Sequence, residues 1–259
     1  MNYVIIIAGG VGNRLGAPVP KQFVEVLGKP VIAYTMEYFQ NHPEIDAIEL
    51  VCVDGYQEHL KSITEKYDIT KLLKIVKGGS EYERSIMNGV AGLEGLAQPD
   101  DVVMIHWAAS PFLSEEIITD NIRVCKEKGN AITASYSYLL YGSNDGDCAK
   151  KAINRDSFMT LSAPQSFLYK NIVDLYIQVE EKNMFEKVEE HHTTVFMAEL
   201  GIPLYFSKGS HTNIKITTKE DIDLFLGYQL ANKYKEEHSA QLDWLKRNVT
   251  ENRITFNNH

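Results

Sequence analysis

Residues 4–7, Val-Ile-Ile-Ile, run straight into a loop that holds Gly9, Gly10, Gly12 and Gly16. An unbroken β-branched run suits a strand covered on both faces, and such strands belong to sheets with helices packed on each side. The loop that follows is equally constrained. Glycine lets the backbone bend where a Cβ would clash, and it exposes N–H groups to an approaching anion. Arg14 and Lys21 lie in or just after the loop. Strand, glycine loop and two cations point to a nucleotide phosphate site. An ordinary strand-to-loop connection produces the same glycine pattern, and pattern alone does not separate the two.

Two phosphate motifs are excluded. A Walker loop ends in Gly-Lys-Ser/Thr, whereas Lys21 stands between Pro20 and Gln22. The dinucleotide pattern GxGxxG, begun at Gly10, meets Leu15 where its third glycine is required.

Downstream, apolar strands alternate with amphipathic segments, the mark of a parallel sheet covered by helices. Helical spacing is read over 29–40, 57–67, 82–93, 114–128 and 169–181, with Ser114 as an N-cap followed by Glu115 and Glu116. Strands are expected at 48–53, 74–77, 102–106, 131–140, 203–206 and 213–217. The turn cluster at 142–147, Gly-Ser-Asn-Asp-Gly-Asp, suggests a protruding two-stranded arm over 134–157, a candidate dimerisation element. Thr218 caps a last long helix, with Asp221 three residues on. The expected division is one domain over 1–233 and a polar helical tail over 234–259.

Composition narrows the partners. With 259 residues, 44% apolar and 24% charged, the chain is an ordinary globular protein with room for a sizeable core. Its net charge of −9 argues against broad nucleic-acid binding, which needs a basic face. Cys52, Cys125 and Cys148 are scattered without metal spacing, which suits a reduced cytoplasmic setting. No secretory signal pattern and no membrane-length apolar run is read.

The stretch Ala8–Phe23, AGGxGxRLG…PKQF, resembles the cytidylyltransferases that act on methylerythritol phosphate and ribitol phosphate. The likeness extends from about Met1 to about Leu230. It implies a three-layer, Rossmann-like α/β nucleotidyltransferase fold of the nucleotide-diphospho-sugar transferase type, with a mostly parallel sheet and a β-arm that makes a homodimer. It implies CTP and a small phosphorylated alcohol as substrates, with Mg2+ as cofactor. Residue by residue, Ala8, Gly9, Gly10 and Gly12, with Arg14 and Lys21, would grip the triphosphate. Gly78, Gly79 and Ser85 match the base-reading segment GGxxRxxS. Arg155 matches an arm arginine that reaches the acceptor in a partner subunit, and Ala163-Pro164-Gln165 corresponds to a Thr-Pro-Gln. Lys215, in Asn-Ile-Lys-Ile-Thr, would contact the phosphates from the far side and bear on the acceptor. Arg14, Lys21 and Lys215 are the expected catalytic cations. Taken singly, Arg155 and Lys215 also suit solvated surface charges, and Ser85 a helix cap.

The departures cluster. The family pattern His-Asp-Ala-x-Arg-Pro-Phe is here His106-Trp107-Ala108-Ala109-Ser110-Pro111-Phe112. Trp107 replaces the metal aspartate and Ser110 the acceptor arginine. Tyr82 stands where the base-reading segment has arginine, with Arg84 two residues on. Roughly, Leu139–Gly142 replace the arm's Asp-Thr-x-Lys, and His191-His192 a late acidic pair. If an acid serves a metal elsewhere, Asp101 and Asp221 are the candidates. The expected activity is transfer of a cytidylyl group from CTP to a polyol phosphate, ribitol 5-phosphate first, with pyrophosphate released. Methylerythritol phosphate, on the isoprenoid route, is the alternative. A nucleotide-binding or scaffolding relative with weak catalysis is the third reading.

Overall fold

The computed structural model describes residues 1–10, 16 and 19–239. The chain forms two compact units, Met1–Thr217 and Thr218–His259. The first is a seven-stranded sheet with helices on both faces. In chain order it carries β1 (Asn2–Ala8), β2 (Glu25–Val26), β3 (Lys29–Pro30), α1 (Val31–Asn41), β4 (Ala47–Cys52), α2 (Gln57–Lys66), β5 (Leu72–Lys77), α3 (Tyr82–Gly92), β6 (Val102–Trp107) and α4 (Glu115–Lys128). Then follow β7 (Asn130–Tyr136), β8 (Tyr141–Gly142), β9 (Ala152–Ile153), β10 (Met159–Leu168), α5 (Tyr169–Glu181), α6 (Met184–Lys187), α7 (Thr193–Glu199) and β11 (Phe206–Lys208).

The sheet order is β11-β7-β10-β6-β1-β4-β5. β1 lies between β4 and β6 and pairs parallel with both. Among the described strands of this sheet only β10 runs against its neighbours. The expected parallel-rich α/β sheet is therefore present. The side-chain alternation of β1 divides the core in two. Val4, Ile6 and Ala8 pack with Ile32, Met36 and Phe39 of α1, Leu60 of α2 and Ile118 of α4. Tyr3, Ile5 and Ile7 pack with Ile86 and Val90 of α3, Leu175 and Val179 of α5, and Phe196 of α7. Every β1 residue is buried. Each Val or Ile contributes about 1.5–3 kcal/mol by leaving water.

Several expected elements change. Residues 29–30 form the edge of a small hairpin instead of starting a helix, because Pro30 precedes the first turn of α1. The expected strand at 203–206 begins only at Phe206. Residues 213–217 form no strand. They attach instead to the turn after β6 and to β10, through Ile216 N–H to the Ala109 carbonyl (2.8 Å) and Asn213 Nδ2 to the Ala163 carbonyl (2.6 Å). Strand β10 is not among the expected strands. It carries Pro164 and a register shift between Ser162 and Gln165, the interruption that a proline imposes on a ladder. Within 134–157, β8 and β9 form a short antiparallel hairpin.

The second unit begins with α8 (Lys219–Glu237). Its start is a capping box, in which the Thr218 side chain and the Asp221 carboxylate each satisfy the other residue's backbone N–H.

Candidate active site

The parallel strands β5, β4, β1 and β6 end along one edge, where open α/β sheets place ligands. Backbone bonds continue past the strand ends: Gly78 N–H to the Cys52 carbonyl (2.8 Å), Val53 N–H to Ala8 (3.2 Å) and Ala108 N–H to Ile7 (3.1 Å). They hold Gly9, Gly78 and the turn after Trp107 to the sheet.

At one side of this edge the glycines meet Ser85. Its Oγ accepts from Gly79 N–H (3.0 Å) and donates to the Glu81 carbonyl (3.0 Å). A Cβ added at Gly9 would fall 2.9 Å from Ser85 Oγ, and one at Gly78 would fall 3.3 Å from it. A Cβ at Gly79 would fall 2.4 Å from Arg84 Cβ and 2.6 Å from the Arg84 backbone carbon. Gly9 and the segment 78–85 thus form one close-packed corner that admits no side chain at Gly79. Ala8 ends β1 and Gly10 follows it. Both carbonyls accept from Gln22 Nε2, at 2.9 and 3.0 Å. Gln22 is buried and holds the entry of the glycine loop. Gln22 carries no expected role in the PKQF motif; its burial beside the glycine loop is what the structure adds. Gly12 and Arg14 lie outside the described residues.

Lys21 reaches the opposite strap. Its ammonium donates to the Ile216 carbonyl at 2.7 Å, and Ile216 is itself bonded to Ala109. Lys215 is next in that strap. Its Nζ sits 4.6 Å from the centroid of the Trp107 ring and 5.4 Å from that of Tyr82, within cation–π range. Trp107 Nε1–H donates to the Tyr82 hydroxyl. Burial pushes the Tyr82 phenol well above the usual tyrosine range, so it stays protonated. The His192 ring packs on Tyr82 at 5.5 Å. Part of that ring stays exposed, yet desolvation first, and Lys215 as a further cause, hold it below the usual histidine range.

The remaining candidates separate. His106 is fully buried, and desolvation lowers its pKa to about 4, so it is neutral. Its Nε2–H donates to the Ser110 carbonyl at 2.9 Å and pins the turn. Ser110, which replaces an arginine of the pattern, is buried. Its Oγ has no partner among the described residues. Arg84 does not substitute for the arginine absent at Tyr82: it pairs with Glu180 and lies over the Phe185 ring at 3.8 Å. Asp101 is corrected as a metal acid. It sits before β6, at the opposite end of the strand, and pairs with the N-terminal ammonium. Asp221 is engaged in the α8 capping box. Arg155 lies on the arm, exposed, with its guanidinium on the Tyr138 carbonyl at 3.0 Å. His191 bonds Glu81 (3.0 Å) and the Phe185 carbonyl (2.9 Å) through its two nitrogens. Among the described residues no group of three or more His, Cys, Asp or Glu is arranged to hold a metal ion. Nor, among them, is any helix long and apolar enough to cross a membrane.

A sheet that gathers a glycine corner and two lysines at its parallel strand ends is the architecture of a nucleotidyltransferase. The fold is that of the solved 4-diphosphocytidyl-2C-methyl-D-erythritol synthase from Anaerococcus prevotii, at a TM-score of 0.73 and 28% identity, covering 89% of this chain and 96% of that one. Residues 2–227 match the family described as IspD, 2-C-methyl-D-erythritol 4-phosphate cytidylyltransferase, and the chain belongs to that family. It is 37% identical over 225 residues to a ribitol-5-phosphate cytidylyltransferase of Lacticaseibacillus paracasei, covering 86% of this chain and 96% of the relative. It is 36% identical over 233 residues to a 2-C-methyl-D-erythritol 4-phosphate cytidylyltransferase of Clostridium botulinum, covering 90% and 98%. Cytidylyltransferases are nucleotidyltransferase enzymes, and those of this family generally depend on a divalent cation.

Proposed function

We propose that the chain transfers CMP from CTP to ribitol 5-phosphate, releasing pyrophosphate. The observation that carries this reading is the joining of the glycine corner to Lys21 and Lys215 along one strand edge. The preference for ribitol 5-phosphate is supported by the relatives of that name, at 35–37% identity. In the reaction an oxygen of the acceptor phosphate attacks the α-phosphorus of CTP. A new P–O bond forms as the bond to the β-phosphate oxygen breaks, and pyrophosphate leaves. The protein's part is to hold two polyanions together and to offset the charge on the phosphoryl oxygens. Gly78, Gly79 and Ser85 receive the cytosine. Ala8, Gly9, Gly10 and Gly12 line the triphosphate, with Arg14, Lys21 and Lys215 as its cations. Arg155, on an arm that pairs two copies, serves the acceptor of the second copy. Exposed Tyr138, Leu139, Leu140 and Phe158 support that arm as a dimer contact. We propose residues 1–233 as the catalytic domain, 234–259 as an appended tail, and the cytoplasm as the setting.

Magnesium is the divalent ion we propose. The donors at the end of β6, an indole, a phenol and an ammonium, do not fit a cation held by the protein, so the ion would arrive on the CTP phosphates. Pyrophosphate release should be measured with CTP and magnesium against ribitol 5-phosphate, methylerythritol 4-phosphate and glycerol 3-phosphate. Release with ribitol 5-phosphate supports the proposal. Release only with methylerythritol 4-phosphate moves the chain to the alternative substrate. CTP binding without release from any acceptor makes it a nucleotide-binding relative.

A further inference from the structure

Three of the positions where the chain leaves the family pattern come from separate segments and touch one another. Trp107 ends β6, Tyr82 opens α3 and His192 precedes α7. The Trp107 indole bonds the Tyr82 hydroxyl, and His192 packs on the Tyr82 ring. An aspartate and an arginine, a pair of opposite charges, have been exchanged for two rings joined by a neutral hydrogen bond. The exchange is one change made at several positions.

The direction of that bond determines what the pair offers. An indole N–H only donates, so the Tyr82 oxygen is the acceptor and the phenol keeps its own hydrogen to give. Among the described residues no acceptor takes that hydrogen. Over the same two rings sits the Lys215 ammonium. Where the family pattern has an acid, this edge carries donors.

We infer that the Tyr82 hydroxyl and the Lys215 ammonium together bind a phosphate oxyanion, and that Trp107 is the positioning residue that aims the hydroxyl and seats the ammonium. The inference builds on the cytidylyltransferase reading and changes one part of it: the end of β6 receives an anion where the pattern has an acid for a metal. The phosphate belongs either to the nucleotide or to the acceptor alcohol, and the two sources are separable by titration.

The test uses the full chain and the variants Tyr82→Phe, Trp107→Phe and Trp107→Asp. Calorimetry follows CTP, cytidine and pyrophosphate, and pyrophosphate release follows the KM for ribitol 5-phosphate. Tyr82→Phe removes one oxygen and should weaken phosphate binding about ten- to a hundredfold, leaving cytidine unaffected. Loss in the CTP and pyrophosphate titrations assigns the nucleotide's phosphate; loss confined to the KM for ribitol 5-phosphate assigns the acceptor's. Trp107→Phe keeps a ring beneath Lys215 but no N–H, and should act in the same direction by about threefold to tenfold. Trp107→Asp should weaken CTP binding at low magnesium and recover it as magnesium rises. A purely structural role for Trp107 predicts no such magnesium-linked recovery.

Tyr82→Phe with wild-type affinities and KM overturns the inference and leaves the enzyme reading intact. If Trp107→Asp does not fold, Tyr82→Phe still decides. Should the wild-type chain bind pyrophosphate but not CTP, with Tyr82→Phe weakening it, the cytidylyltransferase reading falls and the anion site stands. Binding of neither pyrophosphate nor CTP removes both.

Discussion

The two parts of the strand edge reach the same end by different physics. At Gly9, Gly78, Gly79 and Ser85 the backbone itself is the surface. A methyl group at Gly79 would lie 2.4 Å from Arg84 Cβ, so the corner tolerates no side chain. At Trp107, Tyr82 and Lys215 the surface is made of side chains, and here the chain departs from the family pattern. A site built from backbone resists change because any addition collides with a neighbour. A site built from side chains changes freely, provided the contacting residues change together.

Substitutions separate the two parts. Gly79→Ala is expected to have the largest effect, a loss of CTP binding of at least about a hundredfold by calorimetry, because the Arg84 backbone has to move. Lys215→Met should lower kcat for pyrophosphate release by about a hundredfold, as removal of one transition-state donor does, while melting near the wild-type temperature. Equal loss of stability in Lys215→Met would show that the strap, and not the charge, was removed. Gln22→Ala leaves the Ala8 and Gly10 carbonyls without their amide partner. Chemical denaturation should show about 1–3 kcal/mol of destabilisation.

A pH-dependent effect comes from β4, where Glu49 packs against Gly89 and Gly92 of α3. Glu49 is a buried β4 residue whose carboxylate lies 3.6 Å from Lys74. Desolvation outweighs that partner and raises its pKa from 4.5 to about 7. The native state therefore holds this proton more tightly than the unfolded chain does. Stability should fall as pH rises from about 4.5 through about 7, by at most about 3 kcal/mol for this group. Glu83 is raised to about 7 by the same cause and acts in the same direction. Thermal melts of Glu49→Gln between pH 5 and 8 should show a shallower decline than wild type. An unchanged slope would remove Glu49 as its source.

The same contrast explains what could be read along the chain. Strand β1 follows from its unbroken apolar run, the helices from an apolar period of 3.6, and the parallel pairing from the alternation of strand and helix, all of which are local. The helix at 169–181 has the expected bounds, Tyr169–Glu181. The glycine corner was legible because glycine is informative wherever backbones approach closely. Strand β10 was largely hidden by Pro164 and by polar Ser162 and Gln165. The segment 213–217 has strand composition, but its bonds go to Ala109, Ala163 and Lys21. The meeting of Trp107 with Tyr82 was not legible. They lie 25 residues apart, and a sheet order that no local pattern encodes brings them together. In sequence Trp107 and Tyr82 are two separate departures; the fold makes them one contact.

A crystal structure of the protein with CTP and magnesium is the most direct measurement. Cytosine should lie against Gly78, Gly79 and Ser85, with the triphosphate running toward Lys21 and Lys215. Nucleotide bound elsewhere, or phosphates turned away from both lysines, would contradict the assignment of this edge as the place where CMP is transferred.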